Sequence, residues 1–255
     1  MRYMTIGSGS AVPQRDRSAP CHLIQTGGKT IVVDLGPGST WGLLRHGHVS
    51  PADIDLLLLT HLHMDHCADL APFLFALRSP ELARVEPLLV VGPEGLHQHY
   101  GNLQMMWDHR VTPSGFDLTI DEWKGERLSW QGCLVDAAPT SHSLDNLAWR
   151  IDSGMDGGCG IVITGDGRAT EELITLAGSA DHVLVAESAA GPGELLDGHM
   201  NPGQAGELAS MCGSKTLILS HINPGPQPDA ILKEAAAHFQ GEVVVAVDGM
   251  EIEVD

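Results

Sequence analysis

Apolar residues along this chain come in short runs whose period changes from one segment to the next. Leu56-Leu57-Leu58-Leu59 is apolar at every position and closes on Thr60. Four residues are too few for a helix, so the run predicts a strand buried on both faces. Similar short stretches predict strands over 2–6, 22–26, 30–34 and 87–91. Gly27-Gly28-Lys29, between two of these, is a hairpin signal. Helices are expected over 39–46, 65–77 and 93–108. The second half predicts strands over 127–130, 133–138, 148–151, 161–164, 183–187, 216–219, 243–247 and 250–254, with helices over 170–177, 202–212 and 228–239. The Gly-rich stretch 153–160 reads as a hairpin loop. Hairpins come first, and strands alternate with helices later. That mixture predicts an α/β fold, a four-layer αβ/βα sandwich of two mixed β-sheets flanked by helices. No repeat, linker or low-complexity tract interrupts it, so a single domain over 1–255 is expected.

Composition narrows the function. With 255 residues, 43% hydrophobic and 18% charged, the chain can bury a core without disulfides and is not disordered. Lys and Arg number 14 against 33 Asp and Glu, a net charge of −19. Such a surface repels polyanions, so extended nucleic acid is disfavoured and a small substrate is expected. The five cysteines are widely spaced without a CxxC pair, which argues against a disulfide framework or a thiolate zinc site. The opening MRYMTIGSGSAVP lacks the pattern of a secretory leader, and no apolar run would span a bilayer. A cytoplasmic protein without membrane contact is the expectation.

Candidate chemistry concentrates in one segment. Thr60-His61-Leu62-His63-Met64-Asp65-His66 directly follows the Leu56 to Leu59 run. At an extended strand end His61 and His63 project the same way, because side chains alternate with period two. Asp65 and His66 stand where a helix begins and turn elsewhere. Imidazole suits zinc, and a carboxylate beside it can hold a second cation. One loop can thus feed two adjacent divalent ions. The competing reading is a metal-free histidine-rich tip. It is disfavoured because strand ends hold ligands rigidly.

HxHxDH after an apolar strand resembles the signature of the metallo-β-lactamase superfamily, and the likeness covers nearly the whole chain. Further positions come in that family's order: His142 in Thr140-Ser141-His142-Ser143, Asp166 in Thr164-Gly165-Asp166-Gly167, and His221 in Ser220-His221-Ile222. The resemblance implies that His61, His63 and His142 hold one Zn2+. It implies that Asp65, His66 and His221 hold a second, and that Asp166 bridges both. Manganese or iron are the alternatives for such ligands. Two Zn2+ outweigh the charges of Asp65 and Asp166, which leaves a local positive site suited to a small anionic ester. Two ions ~3.5–4 Å apart can share a hydroxide and clamp the oxygens of a displacement at phosphorus.

Departures from the family pattern sort its branches. Asp166 stands where the commonest zinc β-lactamases carry Cys. A short, strand-rich tail follows His221, unlike the helical C-terminal domain of glyoxalase II-like enzymes. Tyr3 and Tyr100 both lie far from the second-half motifs, unlike the active-site Tyr of lactone hydrolases. Gly7-Ser8-Gly9-Ser10-Ala11-Val12-Pro13, His199 in His199-Met200-Asn201-Pro202-Gly203-Gln204-Ala205, and Val247-Asp248-Gly249-Met250 are similar to ribonuclease Z and its small phosphodiesterase relatives. The gap between His142 and Asp166 is too short for the tRNA-gripping arm of ribonuclease Z. The resemblance therefore implies a dinuclear zinc hydrolase, a phosphodiesterase on small or aryl phosphodiesters that uses a metal-bridging hydroxide and forms a homodimer. Hydrolysis of a lactone, β-lactam or aryl sulfate is the alternative, and tRNA 3′-end cleavage a further one.

The same likeness assigns His199 to proton or hydrogen-bond donation, and Asp65 a second task in orienting the hydroxide. Glu187 either orients His199 or is a plain strand-end acid. Asp34 matches a brace for the HxHxDH loop. Cys67 reads as a buried inert thiol. His22, His46, His48, His97, His99, His109, His182 and His238 lack metal spacing. Met105, Met106 and Trp107 either pack into the core, the favoured reading, or line a lid within 97–117. Arg15, Arg17 and Arg168 read as exposed ion-pair residues rather than substrate contacts.

Overall fold

The computed structural model describes residues 1–82, 84–142, 145–154, 159–178 and 182–254. In chain order its strands are β1 (Arg2–Gly7), β2 (Cys21–Thr26), β3 (Lys29–Val33), β4 (Leu56–Leu58), β5 (Leu88–Gly92), β6 (Leu118–Glu122), β7 (Leu128–Trp130), β8 (Cys133–Pro139), β9 (Leu147–Ser153), β10 (Gly160–Ile163), β11 (His182–Glu187), β12 (Thr216–Ser220), β13 (Glu242–Val245) and β14 (Glu251–Glu253). The helices are α1 (Ser39–Gly42), α2 (Met64–Cys67), α3 (Leu70–Ala76), α4 (Leu96–Trp107), α5 (Glu171–Ala177), α6 (Pro202–Cys212) and α7 (Pro228–His238). One seven-stranded sheet runs β14-β1-β2-β3-β4-β5-β6 and the other β13-β12-β11-β10-β9-β8-β7.

Three apolar clusters lie between the layers, and strand periodicity explains them. Ile31 and Val33 of β3, Leu56 and Leu58 of β4, Ile161 and Ile163 of β10 and Val183 and Val185 of β11 meet between the two sheets. Val32 and Leu57, one residue out of phase, face α3 and α4 through Phe73 and Leu96. Val162, Leu184 and Leu217 face α5, α6 and α7 through Leu173, Leu208 and Ile231. A strand with a core on each side must be apolar throughout, which accounts for the Leu56 to Leu59 run.

Local chemistry shifts several predicted boundaries. The helix expected over 65–77 is two pieces. Between them the Asp69 N–H bonds to Leu35 O (3.0 Å), and the Asp69 carboxylate accepts from the N–H groups of Gly38 (3.1 Å) and Thr40 (2.9 Å). The helix expected over 39–46 is one α-turn, α1, that widens into a π-turn over Leu43–Gly47. The helix expected over 93–108 starts only at Leu96. Strand β6 has the burial alternation of an edge strand and is not among the strands that the apolar pattern predicts, because its polar Thr119 and Asp121 dilute a short apolar signal. Gly27 and Gly28 (φ 58° and 75°) form the two-residue turn between β2 and β3. The strands that flank 153–160 pair antiparallel, while residues 155–158 lie outside those described.

Candidate metal centre

The carboxyl ends of several strands meet at one rim of the sandwich, where crevices of open α/β sheets form. Asp34 follows β3, His61 to His66 follow β4, and His142 follows β8. Asp166 follows β10, Glu187 ends β11 and His221 follows β12. Close loop packing requires the glycines on either side of Asp166. A Cβ on Gly165 (φ 61°) would lie 2.7 Å from Thr60 Cβ, and one on Gly167 (φ 116°) would lie 2.6 Å from Thr140 Oγ1. Backbone bonds between Arg168 and Ser141 (3.0 and 3.2 Å) then pin the Asp166 loop to the His142 loop. Asp34 and His221 adopt left-handed φ values of 64° and 54°. Such strained non-glycine residues cluster at functional sites.

The structure brings all seven sequence-selected donors together. His61, His63, His142 and Asp166 form one group, and Asp65, His66 and His221 another. In the first, His61 Nε2 lies 2.9 Å from His63 Nδ1, and His142 Nε2 lies 3.2 Å from the same atom. In the second, His221 Nε2 is 3.3 Å and His66 Nε2 3.6 Å from Asp65 Oδ2. Asp166 stands between the groups. Its Oδ2 is 3.8 Å from His61 Nε2, while its Oδ1 is 3.4 Å from His66 Nε2 and 3.3 Å from His221 Nε2.

Outer bonds decide which ring nitrogen faces inward. His142 Nδ1 lies 2.8 Å from the Gly198 carbonyl, an acceptor, so Nδ1 carries the proton and Nε2 offers its lone pair. His66 Nδ1 donates to Asp34 Oδ2 (2.8 Å). The Thr60 hydroxyl donates to Asp34 (2.9 Å) and accepts from His61 Nδ1 (3.0 Å). Asp34, 1% exposed, also accepts from the Thr60 N–H (2.8 Å). Thr60 and the Gly198 carbonyl were not singled out from sequence. For Thr60 the signal was its place directly before the HxHxDH segment, whereas a backbone carbonyl carries none.

Burial, then the neighbouring His66, pushes the His61 imidazole down to about 2, so it stays a neutral donor. Burial pushes the Asp65 carboxyl up. The hydrogen bond from His221 and the nearby His66 outweigh this and hold it near 2. The donor set fits a divalent cation. His66 Nε2 and Asp166 Oδ1 are buried without a hydrogen-bond partner. Nε2 of His61 and of His142 confront one nitrogen of His63 with their own protons held on the far side. A cation resolves this crowding of lone pairs.

Beside this lies a third cluster of Asp166, Glu187 and His199. His199 Nδ1 is 2.9 Å from Glu187 Oε2, and the other Glu187 oxygen accepts from the Gly167 N–H. Both Glu187 oxygens are therefore occupied by donors, which suits an orienting acid. A capping box holds His199 just ahead of α6: Asn201 Oδ1 accepts from the Gln204 N–H (2.9 Å), and Gln204 Oε1 accepts from the Asn201 N–H (3.0 Å).

Residues 15–199 match the sequence pattern of the metallo-beta-lactamase superfamily. The chain belongs to that superfamily. This metallo-β-lactamase superfamily member is 28% identical to the protein named ribonuclease Z of Mycobacterium bovis (strain BCG / Pasteur 1173P2), over 98% of this chain and 96% of that one. Among solved structures it resembles the metallo-beta-lactamase fold protein YhfI of Bacillus subtilis, with a TM-score of 0.84, 24% identity and 98% of each chain covered. It also resembles the short form of human tRNase Z, with a TM-score of 0.79, 20% identity and all of both chains covered. Both structural likenesses establish the shared fold.

Other readings of this superfamily chain need correction. Met105 and Met106 are 81% and 71% exposed, so the expected core packing does not occur. With Trp107, they end a helix whose buried contact is Leu96. Trp107 lines an apolar groove of about 370 Å3 with Ala71, Pro72, Phe75, Arg110 and Val111, a lining that includes none of the seven donors. Arg17 is no exposed ion pair. It donates to Ser8 Oγ and the Ala246 carbonyl and ties the first loop to the C-terminal strands. Arg168 does face Asp197 (3.6 Å), and it also donates to the carbonyls of Leu196 (3.0 Å) and His199 (3.4 Å), bracing the loop that presents His199. Cys67 is buried, 3.9 Å from His99 Nε2. No helix among the described residues is long and apolar enough to cross a membrane.

Proposed function

We propose that this chain is a dizinc phosphodiesterase for small or aryl phosphodiesters, acting as a single-domain, homodimeric cytoplasmic enzyme. The placement of Asp166 carries the reading, since one carboxylate turns an oxygen to each donor group. His61, His63 and His142 would hold one ion and Asp65, His66 and His221 the other, with Asp166 shared. A bound pair of divalent ions supplies Lewis acidity and an activated water. The chain's own residues supply orientation and proton transfer. Asp65, 3.3 Å from His221, would also orient the water. His199, oriented by Glu187, donates a proton or hydrogen bond toward the departing oxygen. The exposed Phe75, Met105, Met106 and Trp107 support the homodimer.

The name of the M. bovis relative favours a second reading, cleavage of RNA. Metal analysis with one substrate panel separates the readings: an aryl phosphodiester, an aryl sulfate, a lactone, a cephalosporin and a 3′-extended tRNA precursor. Two metal equivalents per chain, with the diester turned over best by kcat/KM, is the expected result. A best rate on the tRNA precursor replaces the reading with the endonuclease, and a diester slower than the other esters overturns it.

Asp34→Asn tests the support beneath the centre. An amide would direct its own N–H groups at the N–H and O–H of Thr60 or at His66, which all need an acceptor. Metal affinity by chelator competition is expected to fall about 10–100-fold, the usual effect of losing such an outer partner. Unchanged affinity would remove Asp34 from the design.

A further inference from the structure

Next to the metal centre lies a cleft of about 490 Å3 that none of the roles above uses. Glu94, Trp123, Thr140, His142, Asp145 and Asn146 line it. It opens at the same rim: Glu94 follows β5, Trp123 follows β6, and Asp145 and Asn146 precede β9. His142 belongs both to this lining and to the first donor group, so the cleft adjoins the centre directly.

Most of its side-chain donors are already engaged within the protein. The Thr140 hydroxyl and the Asn146 amide NH2 both donate to the Asp166 carbonyl, and His142 Nδ1 donates to Gly198. The backbone N–H groups of Trp123, Thr140 and Leu147 are taken by Gly92, Asn146 and Thr60. Pro93 and Pro139 have none. The side chains left for a ligand are the exposed carboxylates of Glu94 and Asp145, both acceptors, and the indole of Trp123 with its single N–H. No Lys or Arg is among the described lining residues. Trp123 adds a half-buried ring. Its other ring contact is edge-on to buried Trp149, at 5.4 Å between centroids and 79° between planes. An indole ring of this kind is a platform for another flat ring.

We propose that this cleft is the subsite for one ester arm of the substrate, and that it takes a planar, uncharged or cationic ring bearing N–H donors, such as an amino-bearing nucleobase. The ring stacks on Trp123 and its N–H groups meet Glu94 and Asp145. The substrate is then bipolar, with its anion at the metal centre and its donor-rich ring at the acidic cleft. Anionic arms are turned away, in keeping with the −19 charge of the whole chain. The inference rests on the phosphodiesterase reading only for what joins the ring to the centre.

Binding of the free ring tests the cleft without catalysis. Saturation-transfer NMR on the intact protein, with adenosine and uridine as probes, should show adenosine bound in preference. Trp123→Ala should weaken adenosine by about tenfold or more, the loss of one stacked base, while Trp123→Phe retains most of it. Glu94→Gln with Asp145→Asn, both at exposed positions, should erase the preference for adenosine over uridine. Equal binding of both nucleosides, or adenosine binding that survives both sets of changes, overturns the proposal whatever the enzyme hydrolyses. Conversely, adenosine bound as described by a protein that hydrolyses no diester overturns the catalytic reading and leaves the subsite standing.

Discussion

Replacing Asp166 with Asn should leave the chain holding fewer than two divalent ions and should lower diester turnover on the order of 10³-fold or more. Asn keeps the volume and removes the charge, so the change isolates electrostatics from packing in a residue only 2% exposed. It also puts a donor where an oxygen stood. An ion on one side, beside His61 or beside His66 and His221, would then lose its carboxylate oxygen. The several kcal/mol by which a metal ion stabilises transition-state charge sets the scale, at about 1.4 kcal/mol for each tenfold. Burial alone would push the Asp166 carboxyl up, but His221 and His66 hold it well below the usual carboxylate range, so it is ionised and ready to share. Elemental analysis of the purified variant, alongside circular dichroism to confirm folding, is the measurement. A folded variant that keeps two ions and most of its turnover would show that Asp166 does not join the two groups.

The HxHxDH segment was legible from its place after an apolar run, whereas His142, Asp166 and His221 followed from the family's order, each beside an apolar strand-like run. Strands that carry a core on both faces announce themselves by continuous apolar residues, as Leu56 to Leu59 and Ile161 to Ile163 do. Asp34 could be placed only by family likeness, and its reach to both Thr60 and His66 became visible with the fold. Edge strand β6 carries only a weak apolar signal because Thr119 and Asp121 face solvent. The break between α2 and α3 depends on Asp69 bonding to residues about thirty positions earlier, which no local period encodes. The acceptor-rich character of the Trp123 cleft was equally hidden. It arises because Thr140 and Asn146 aim their donors at a carbonyl from a different strand loop.

His199→Ala should retain both metal ions yet lose about 10²–10⁴-fold in turnover, the range for a positioned proton donor. Its imidazole approaches Asp166 at 3.9 Å and stands beside the rings of His142 and His221 (4.9 and 6.0 Å between centroids) without belonging to either donor group, so its removal spares the ligands. Burial pulls the His199 value down. The hydrogen bond and charge of Glu187 outweigh that pull and raise it above the ordinary imidazole value. The acid form therefore persists to higher pH than in a free imidazole, and a rate that depends on it declines as pH rises through the raised value. His199→Ala should erase this alkaline limb of the kcat profile. Glu187→Gln should keep the limb and move it to lower pH, because the opposing effect of burial remains when the carboxylate is gone. Leaving-group dependence supplies a check that a merely structural role cannot mimic. A diester with an alkoxide leaving group needs the proton more than one releasing p-nitrophenolate, so the alkyl diester should suffer the greater loss. Equal losses on both esters, or an alkaline limb unmoved in Glu187→Gln, would show that this pair holds the loop in place and transfers no proton.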